Sequence, residues 1–470
     1  MESSAGGEHS LVKTENGKVY STGSCGLGWC RVVEETTEVL KNLFCFRLVP
    51  LPEPAATILA SYYHNLAIGQ RTGRVYAWGC GTFTDGKNDG VIPALGEPID
   101  ADGNGVVEDR GAPPHAVALP PLQCGSAVAL AGGAYHSVVL TTAGAVFTWG
   151  AAQLGQLGRL SAFSPSSSST DSSGLPVDPR ALPVEGLPHP SSDPPTFIAG
   201  GFYNTLVGLR SGELFCCGEN QNGQCGVVPS GDSGNSSGRD DDTRNLKVMT
   251  RCAALASRDL QAAAAAAGYC HTLVLTPEGD VYSMGCGEDG QRGDGLPADA
   301  LPAWEGGNTD DSGSSSGVAQ RRALLTAVRL PGNRRAAAIA AGANHSVCLA
   351  TDGKVFAFGS DEFGQCGVRA AATAVGPSSS YSSSSSSSSN ENDDNSEEST
   401  VLLSPMPIAL PPSAGRIVSV SAGYAHTVLR DERGAVFTFG KNESGQLGLG
   451  EATAADAADV PCPTRAVFVP

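Results

Sequence analysis

The residues of this chain with most chemical capacity are histidines, and six recur in one setting. His9, His64, His136, His271, His345 and His426 each precede a short apolar run and a glycine-containing turn. A histidine can ligate a metal or act as a general base, but metal ligands must converge within bonding distance, and one imidazole per recurring phrase makes no such cluster. The six are read as structural hydrogen-bond partners that hold one repeat's turn to its neighbour. Aromatic residues stand beside this position in five copies: Tyr62 and Tyr63, Tyr135, Phe202 and Tyr203, Tyr269, and Tyr424. Loops on a rigid scaffold carry binding and tyrosine is favoured at interfaces, so these are the expected contact residues. The 14 cysteines include no C-x-x-C pair, and neither Cys216-Cys217 nor the Cys25/Cys30 spacing fits a metal template. Several occupy apolar positions in strand-like runs, as small buried hydrophobes of a reducing compartment with no chemistry assigned. The chain lacks a Walker A sequence, a Gly-x-Ser-x-Gly elbow and a His-Glu-x-x-His pair, so no catalytic side chain, metal or cofactor is expected.

The elements that position these residues follow from self-similarity. One phrase occurs seven times, first from Gly6 through His9 and Gly17 to Gly23, last from Ala422 through His426 and Gly434 to Gly440. The copies between run from His64 to Gly79, His136 to Gly150, Asn204 to Gly218, His271 to Gly285 and His345 to Gly359. The two glycines are six residues apart in all seven, and the His or Asn precedes the first by eight residues in six copies and nine in the second. A Gly-Gln pair follows the second glycine by five residues in five copies. Two apolar runs flanking a turn glycine, as from His271 to Gly285, read as a hairpin. An apolar segment upstream, such as Arg416 to Gly423, and a proline-flanked one before it, such as Ser404 to Leu410, bring each repeat to four strands.

A four-stranded sheet cannot bury both faces alone, whereas seven packed face to face around an axis can. The expected fold is therefore all-β, a seven-bladed β-propeller forming one domain over residues 1–470. No 3.6-residue periodicity of useful length supports an α-solenoid, and Ala262 to Ala267 falls where other copies carry a strand. The first copy lacks two upstream strands, while Asp459 to Pro470 resembles the proline-flanked opening of a further repeat. Pro463 to Val469 is thus expected to pair in the blade of Leu11 to Gly23, the terminal strands closing that blade. Met1 to Ala5 reads as too short and polar to supply the strand still missing.

A formal charge of −18 disfavours a broad hold on nucleic acid or anionic lipid, so direct DNA binding is not expected. The basic doublets Arg321-Arg322 and Arg334-Arg335 are too short for an import signal or a nucleic-acid arm. The start carries no signal-peptide pattern, and no apolar run reaches the roughly 18 to 20 residues that span a bilayer. A soluble, intracellular monomer, nuclear or cytoplasmic, is the expectation. Polar inserts at about 161–174, 230–243, 306–317 and 377–400 are too poor in apolar residues to offset ordering entropy and read as disordered loops from equivalent blade corners. They are either phosphorylatable linkers or neutral expansions at loop tips.

The repeated phrase A-G-x-x-H-[ST], followed by G-x-V-[YF]-x-x-G and Gly-Gln, resembles the repeat of the regulator of chromosome condensation family, over nearly the whole chain outside the inserts. The resemblance implies the propeller and a protein-binding role. Two irregularities resemble the branch that exchanges nucleotide on the small GTPase Ran. After Gly79 the Gly-Gln pair is replaced by a segment similar to that branch's β-wedge, matching at Phe83, Asp85 and the run Asn88, Asp89, Gly90, Val91, Ile92, with Gly86 and Lys87 between. Two copies later Asn204 replaces the histidine after Gly200 to Tyr203. The resemblance also implies acidic residues just before the histidine in the wedge copy and the next, where this chain has Tyr62-Tyr63 and Ala134-Tyr135.

The leading expectation is an exchange factor for Ran or a Ran-like GTPase, acting by protein contact and a wedge loop. Its rival is a non-catalytic scaffold or ubiquitin-pathway propeller, with Asp85 to Asp89 then a plain Gly/Asn/Asp turn connecting blades. A light-sensing propeller would need stacked tryptophans, and this chain has only Trp29, Trp78, Trp149 and Trp304.

Overall fold

Pairing inside each phrase is set by its two glycines. In the last copy His426 pairs with Gly440 and Arg430 with Val436. Gly440 takes φ +106°, and a Cβ there would run into the carbonyl of Ala425, so the hairpin closes only with glycine at this position. The computed structural model describes residues 1–24, 42–79, 112–120, 125–163, 169–170, 176–227, 245–296, 325–368, 401–450 and 458–468. In it the chain forms the seven-bladed β-propeller expected from its repeats, each blade a four-stranded antiparallel meander whose strand order follows the chain. Blade 3 adds a short fifth strand, Ser169–Thr170, outside Pro176–Pro183.

The first strands of the blades are Glu2–Ala5, Ala55–Ala60, Ala127–Gly132, Pro195–Gly200, Ala264–Ala267, Ala336–Ala341 and Ile417–Ala422. Each contacts the next and the last contacts the first, which makes them the wall of the axis. Small side chains suit that crowded position, and the all-alanine Ala264–Ala267 is held extended by pairing with Leu275 to Thr272 against alanine's helical preference. Among the described residues helix is limited to the four-residue turn Ala253–Ala256 and a 3-10 turn, Leu160–Phe163. The core lies between blades: Leu66, Val75 and Ala77 of blade 2 pack on Val139, Phe147 and Trp149 of blade 3, and similar clusters fill the other seams.

Ring closure departs from the sequence expectation. The proline-flanked segment is the outer strand of the preceding blade and does not open the next: Val401–Pro407 pairs with Val355–Ser360, and Val460–Arg465 with Val436–Gly440. The described residues of Pro463 to Val469 therefore do not pair with Leu11 to Gly23. The strand thought missing is Glu2–Ala5, which pairs with the second strand in the register Glu2↔Lys13 to Ala5↔Ser10. Its polarity is accommodated because the axis offers hydrogen bonds: Ala60 N donates to Ser4 Oγ at 2.9 Å, and Ala5 N to Ser421 Oγ at 2.9 Å. Every blade is thus contiguous in sequence. The ring closes by packing blade 7 on blade 1, where Phe468 stacks on Phe46 at 4.8 Å and joins it through an isolated parallel bridge.

The inserts all fall between the third and outer strands of their blades. The first is in part built: residues 161–163 belong to the 3-10 turn, where Ala162 is buried with Ala152 and Leu157, and Ser169–Thr170 is the fifth strand of blade 3. Inserts 230–243, 306–317 and 377–400 lie outside the described residues.

Candidate functional site

In an antiparallel meander, the turn between strands one and two and the connection between strands three and four emerge at the same end. In blade 7, Ala422 faces Thr427, His426 faces Gly440, and Gly440 faces Val460. One face of the disc therefore carries the tyrosine-bearing turns, the Gly-Gln loops and the points where the inserts depart. Gly79 ends the third strand of blade 2 on this face. The wedge candidates Phe83, Asp85, Gly86, Lys87, Asn88, Asp89, Gly90, Val91 and Ile92 follow it and lie outside the described residues.

The turns interlock into a collar. Tyr424 N donates to Gly6 O at 3.0 Å, Ala343 N to Tyr424 O at 3.1 Å, Tyr269 N to Ala343 O at 3.1 Å, Phe202 N to Gly268 O at 3.0 Å and Ala134 N to Phe202 O at 3.0 Å. Gly7 N donates to Tyr62 O at 3.1 Å, and Ser61 Oγ donates to Gly133 O. All seven seams are bridged. The motif glycine makes this approach possible, since a Cβ on Gly423 would strike both the His426 ring and the carbonyl of Gly6.

Below the collar each imidazole reaches across a seam. His9 Nε2 lies 2.7 Å from Asn65 Oδ1, His64 Nε2 2.7 Å from Ser137 Oγ, and His136 Nε2 2.9 Å from Thr205 Oγ1. His271 meets Ser346 at 2.9 Å, His345 meets Thr427 at 3.0 Å and His426 meets Ser10 at 2.9 Å. At four seams the hydroxyl also donates to a Gly-Gln loop carbonyl: Thr205 to Gln156, Ser346 to Gln291, Thr427 to Gln365 and Ser10 to Gln446. A hydroxyl has one proton to give, so there it must accept from the ring, which fixes the imidazole proton on Nε2. Burial pushes the pKa of five rings down to about 3 and that of His9 to about 4, where the Asn65 hydrogen bond opposes it. The rings are neutral, and each commits its Nε2 to a seam.

The seam between blades 4 and 5 is built differently. Asn204 replaces the histidine and turns its Nδ2 toward Cys216 Sγ at 4.0 Å, while Thr272 still donates to Gln224 O at 2.8 Å. Cys216 on the third strand is disulfide-bonded to Cys225 in the Gly-Gln loop. That bond departs from the expectation that the cysteines are inert. A separation of nine residues matches no familiar motif, and only the fold of loop onto strand brings the two together. Cys45, Cys217, Cys252, Cys348 and Cys366 are buried thiols.

The aromatic residues meet at the axis. Tyr62 of blade 2 packs edge-on against Phe202 of blade 4 at 4.6 Å and against Tyr424 of blade 7 at 6.1 Å, contacts between non-neighbouring blades that only the axis permits. Phe202 also touches Tyr203 and Tyr269, at 4.7 and 4.6 Å, and Tyr63 stacks on Tyr135 at 4.8 Å. The cluster plugs the mouth of the channel. Its inner members are half-buried: burial, then Tyr424 and Tyr63, holds the Tyr62 phenol above its ordinary pKa, and burial, then Tyr269 and Glu219, pushes Tyr203 up to about 12. Its outer members are open, with Tyr269 42% and Tyr424 45% exposed.

Carboxylates surround the plug, and the sequence reading missed them. Glu8 lies in a turn; Glu219, Glu288, Asp289, Glu362 and Glu443 lie in the loops after the third strands. A signal was present, since the third residue after the second glycine is Glu at 288, 362 and 443. On the opposite face a cleft of about 410 Å³ between blades 3 and 4 is lined by Val128, Pro190, Pro194, Pro195 and Arg210. It lacks the convergence of the mouth. Among the described residues no group of three or more His, Cys, Asp and Glu could hold a metal, and no helix is long and apolar enough to cross a membrane.

Comparison with known proteins agrees with this architecture. The regulator of chromosome condensation (RCC1) repeat matches at residues 127–156, 263–291, 336–365 and 417–446 in one form and at 352–429 and 433–470 in a second. The chain is 27% identical over 380 residues to the ultraviolet-B receptor UVR8 of Arabidopsis thaliana, covering 74% of this chain and 72% of that protein. It is 31% identical over 184 residues to the regulator of chromosome condensation of Drosophila melanogaster, covering 39% of this chain. It is 27% identical over 320 residues to the human probable E3 ubiquitin-protein ligase HERC6, covering 68% of this chain. The match spans only 24% of the length of each of these last two. Yeast RCC1 (Prp20), solved with Kap60, superposes with a TM-score of 0.67 over 97% of this chain and 84% of that one at 19% identity. Prp20p from Saccharomyces cerevisiae, described with its binding to Gsp1p and histones, gives 0.61 over 90% and 80% at 24% identity. The chain is a seven-bladed β-propeller that contains regulator-of-chromosome-condensation repeats.

Proposed function

We propose that this propeller is a guanine nucleotide exchange factor for a small GTPase of the Ran type, docking it on the face that holds the aromatic mouth. The observation that carries the reading is positional: the third strand of blade 2 ends at Gly79 on the face that bears Tyr62, Tyr203, Tyr269 and Tyr424, and the wedge-like segment Phe83 to Ile92 follows Gly79 in the sequence. Such a factor needs no catalytic side chain. It binds the nucleotide-free GTPase more tightly than the loaded one, so by linkage nucleotide leaves faster, and an inserted wedge that disturbs phosphate and base contacts supplies the difference. A rigid collar suits this task, because a wedge is effective only if its base does not yield. The test is release of a fluorescent GDP analogue from Ran. The full chain should accelerate it; a chain with residues 85–92 replaced by a Gly-Ser turn should not, at an unchanged thermal midpoint. Acceleration by the replaced chain sinks the wedge assignment, and none by the full chain sinks the exchange reading.

A second reading, a scaffold or ubiquitin-pathway propeller, is favoured by one observation. The positions where the resemblance implies acids are Tyr62-Tyr63 and Ala134-Tyr135, and these tyrosines are engaged in aromatic packing. Capture by nucleotide-free and GTP-loaded Ran separates the two, since a scaffold shows no preference for the empty state. Light sensing is disfavoured by Trp78 and Trp149, both fully buried in blades 2 and 3.

A further inference from the structure

The two faces of the disc differ in charge. Among the described residues, the surface of the turns and Gly-Gln loops on the mouth face carries six carboxylates, Glu8, Glu219, Glu288, Asp289, Glu362 and Glu443, against one ammonium, Lys441. Arg159 and Arg292, in the same loops, are buried in ion pairs with Asp178 and Asp294. On the opposite face carboxylates are matched by arginines, as in Arg334 with Asp352 and Arg335 with Asp280. The mouth carboxylates crowd one another and the plug. Burial and then the charges of Glu288 and of Glu362, on the next blade, raise the Asp289 pKa, and Glu219 acts on both Tyr203 and Tyr269.

We propose that the aromatic mouth docks a lysine- or arginine-bearing segment of a partner protein, one cationic side chain lying over the exposed rings of Tyr269 and Tyr424 while its neighbours meet the surrounding carboxylates. The inference rests on the mouth being the docking face and adds the chemistry of what docks there. A cation over a tyrosine face gains from the ring quadrupole, and flanking carboxylates complement the charges on either side. An acidic segment would add to the existing repulsion, which excludes the chain's own Glu391 to Glu398 stretch as occupant. An apolar segment would strip water from the carboxylates with nothing in return.

The test is fluorescence anisotropy with the full chain and three labelled peptides of equal length, in which Lys/Arg, Gln or Glu alternates with Gly and Ser. The basic peptide should bind and the other two should not. Tyr269→Ala with Tyr424→Ala should weaken binding at least tenfold, as should Glu288→Gln with Asp289→Asn and Glu362→Gln. Asp280→Asn with Asp352→Asn, on the far face, should leave it unchanged. All five carboxylates and both tyrosines are partly or fully exposed, so the variants fold, and thermal melts verify this. Absence of basic-peptide binding, or a loss shared by the far-face variant, overturns the proposal. So does a loss on carboxylate but not tyrosine substitution, which would mean diffuse attraction only. Nucleotide release measured on the same preparations keeps the two readings apart: exchange without peptide binding sinks this inference alone, and peptide binding without exchange sinks the exchange reading alone.

Discussion

At the scale of single residues, the seam histidines make stability depend on pH. Their folded pKa values, about 3 and for His9 about 4, lie below the ordinary value of 6.5. The unfolded chain therefore binds protons that the folded chain refuses. Their contribution is complete above pH 6.5 and is lost as pH falls toward the folded values. Each such proton is worth about 1.4 kcal/mol per pH unit, so six give a slope of ~8 kcal/mol per pH unit, against a total stability of roughly 5–15 kcal/mol. Acid unfolding should be steep, with a midpoint between about pH 4.5 and 6 and an uptake of about six protons. Denaturant titrations across that range measure it; a shallow dependence would mean the rings are not held neutral. His345→Asn should lower the slope by one proton. The sequence made the tyrosines legible as turn residues but not their convergence. Nothing in the spacing of Tyr62, Phe202 and Tyr424 says that the chain returns each to one axis. The mouth carboxylates were overlooked for a related reason: one Glu per loop is unremarkable until the loops are brought around a circle.

At the scale of the element, the hairpin was legible because its glycines answer local needs that any copy must meet. The two turn positions are not equivalent, however. At Gly359 φ is +107° and a Cβ would meet the backbone of Asn344 and His345, which cannot yield without opening the hairpin. At Gly434 φ is +82°, near the left-handed region, and a Cβ would meet only the flexible end of Met1. Gly434→Ala should cost about 1 kcal/mol and Gly359→Ala about 3 kcal/mol or more. Comparable denaturant midpoints would contradict this account. The phase of the repeat was not legible. The outer and inner strands flank the hairpin with short apolar runs of similar composition, and the inserts lengthen the link on one side until proximity in sequence misleads. Val401–Pro407 lies close to Ile417–Ala422 along the chain, yet it pairs with Val355–Ser360, from which 40 residues separate it in the sequence. Hydrogen bonding within a blade, not nearness along the chain, decides membership.

At the scale of the whole molecule, that phase determines how the ring is closed. With each blade contiguous, closure depends on the seam between blades 7 and 1, and the shortest strand in it is Glu2–Ala5. This strand pairs with Ser10 to Lys13, bonds to Ala60 through Ser4 and to Ser421 through Ala5, and places Glu2 Oε1 2.6 Å from Thr57 Oγ1. It thus ties blade 1 to both neighbours at once. Past the outer strand of blade 7, by contrast, Val467 and Phe468 are 42% and 38% exposed and hold blade 1 through one backbone bond, one ring stack on Phe46 and one edge-on contact with Tyr20. Deleting residues 2–5 should strip the inner edge of blade 1 and expose the flanks of two others, costing about 4 kcal/mol or more and lowering the cooperativity of unfolding. Deleting residues 467–470 should cost about 1–2 kcal/mol and leave one cooperative transition. Had the C-terminal segment been the strand that completes the first blade, the order would reverse. Urea midpoints of the two truncations therefore decide which terminus closes the ring, and a larger loss from the C-terminal deletion would overturn the closure described here.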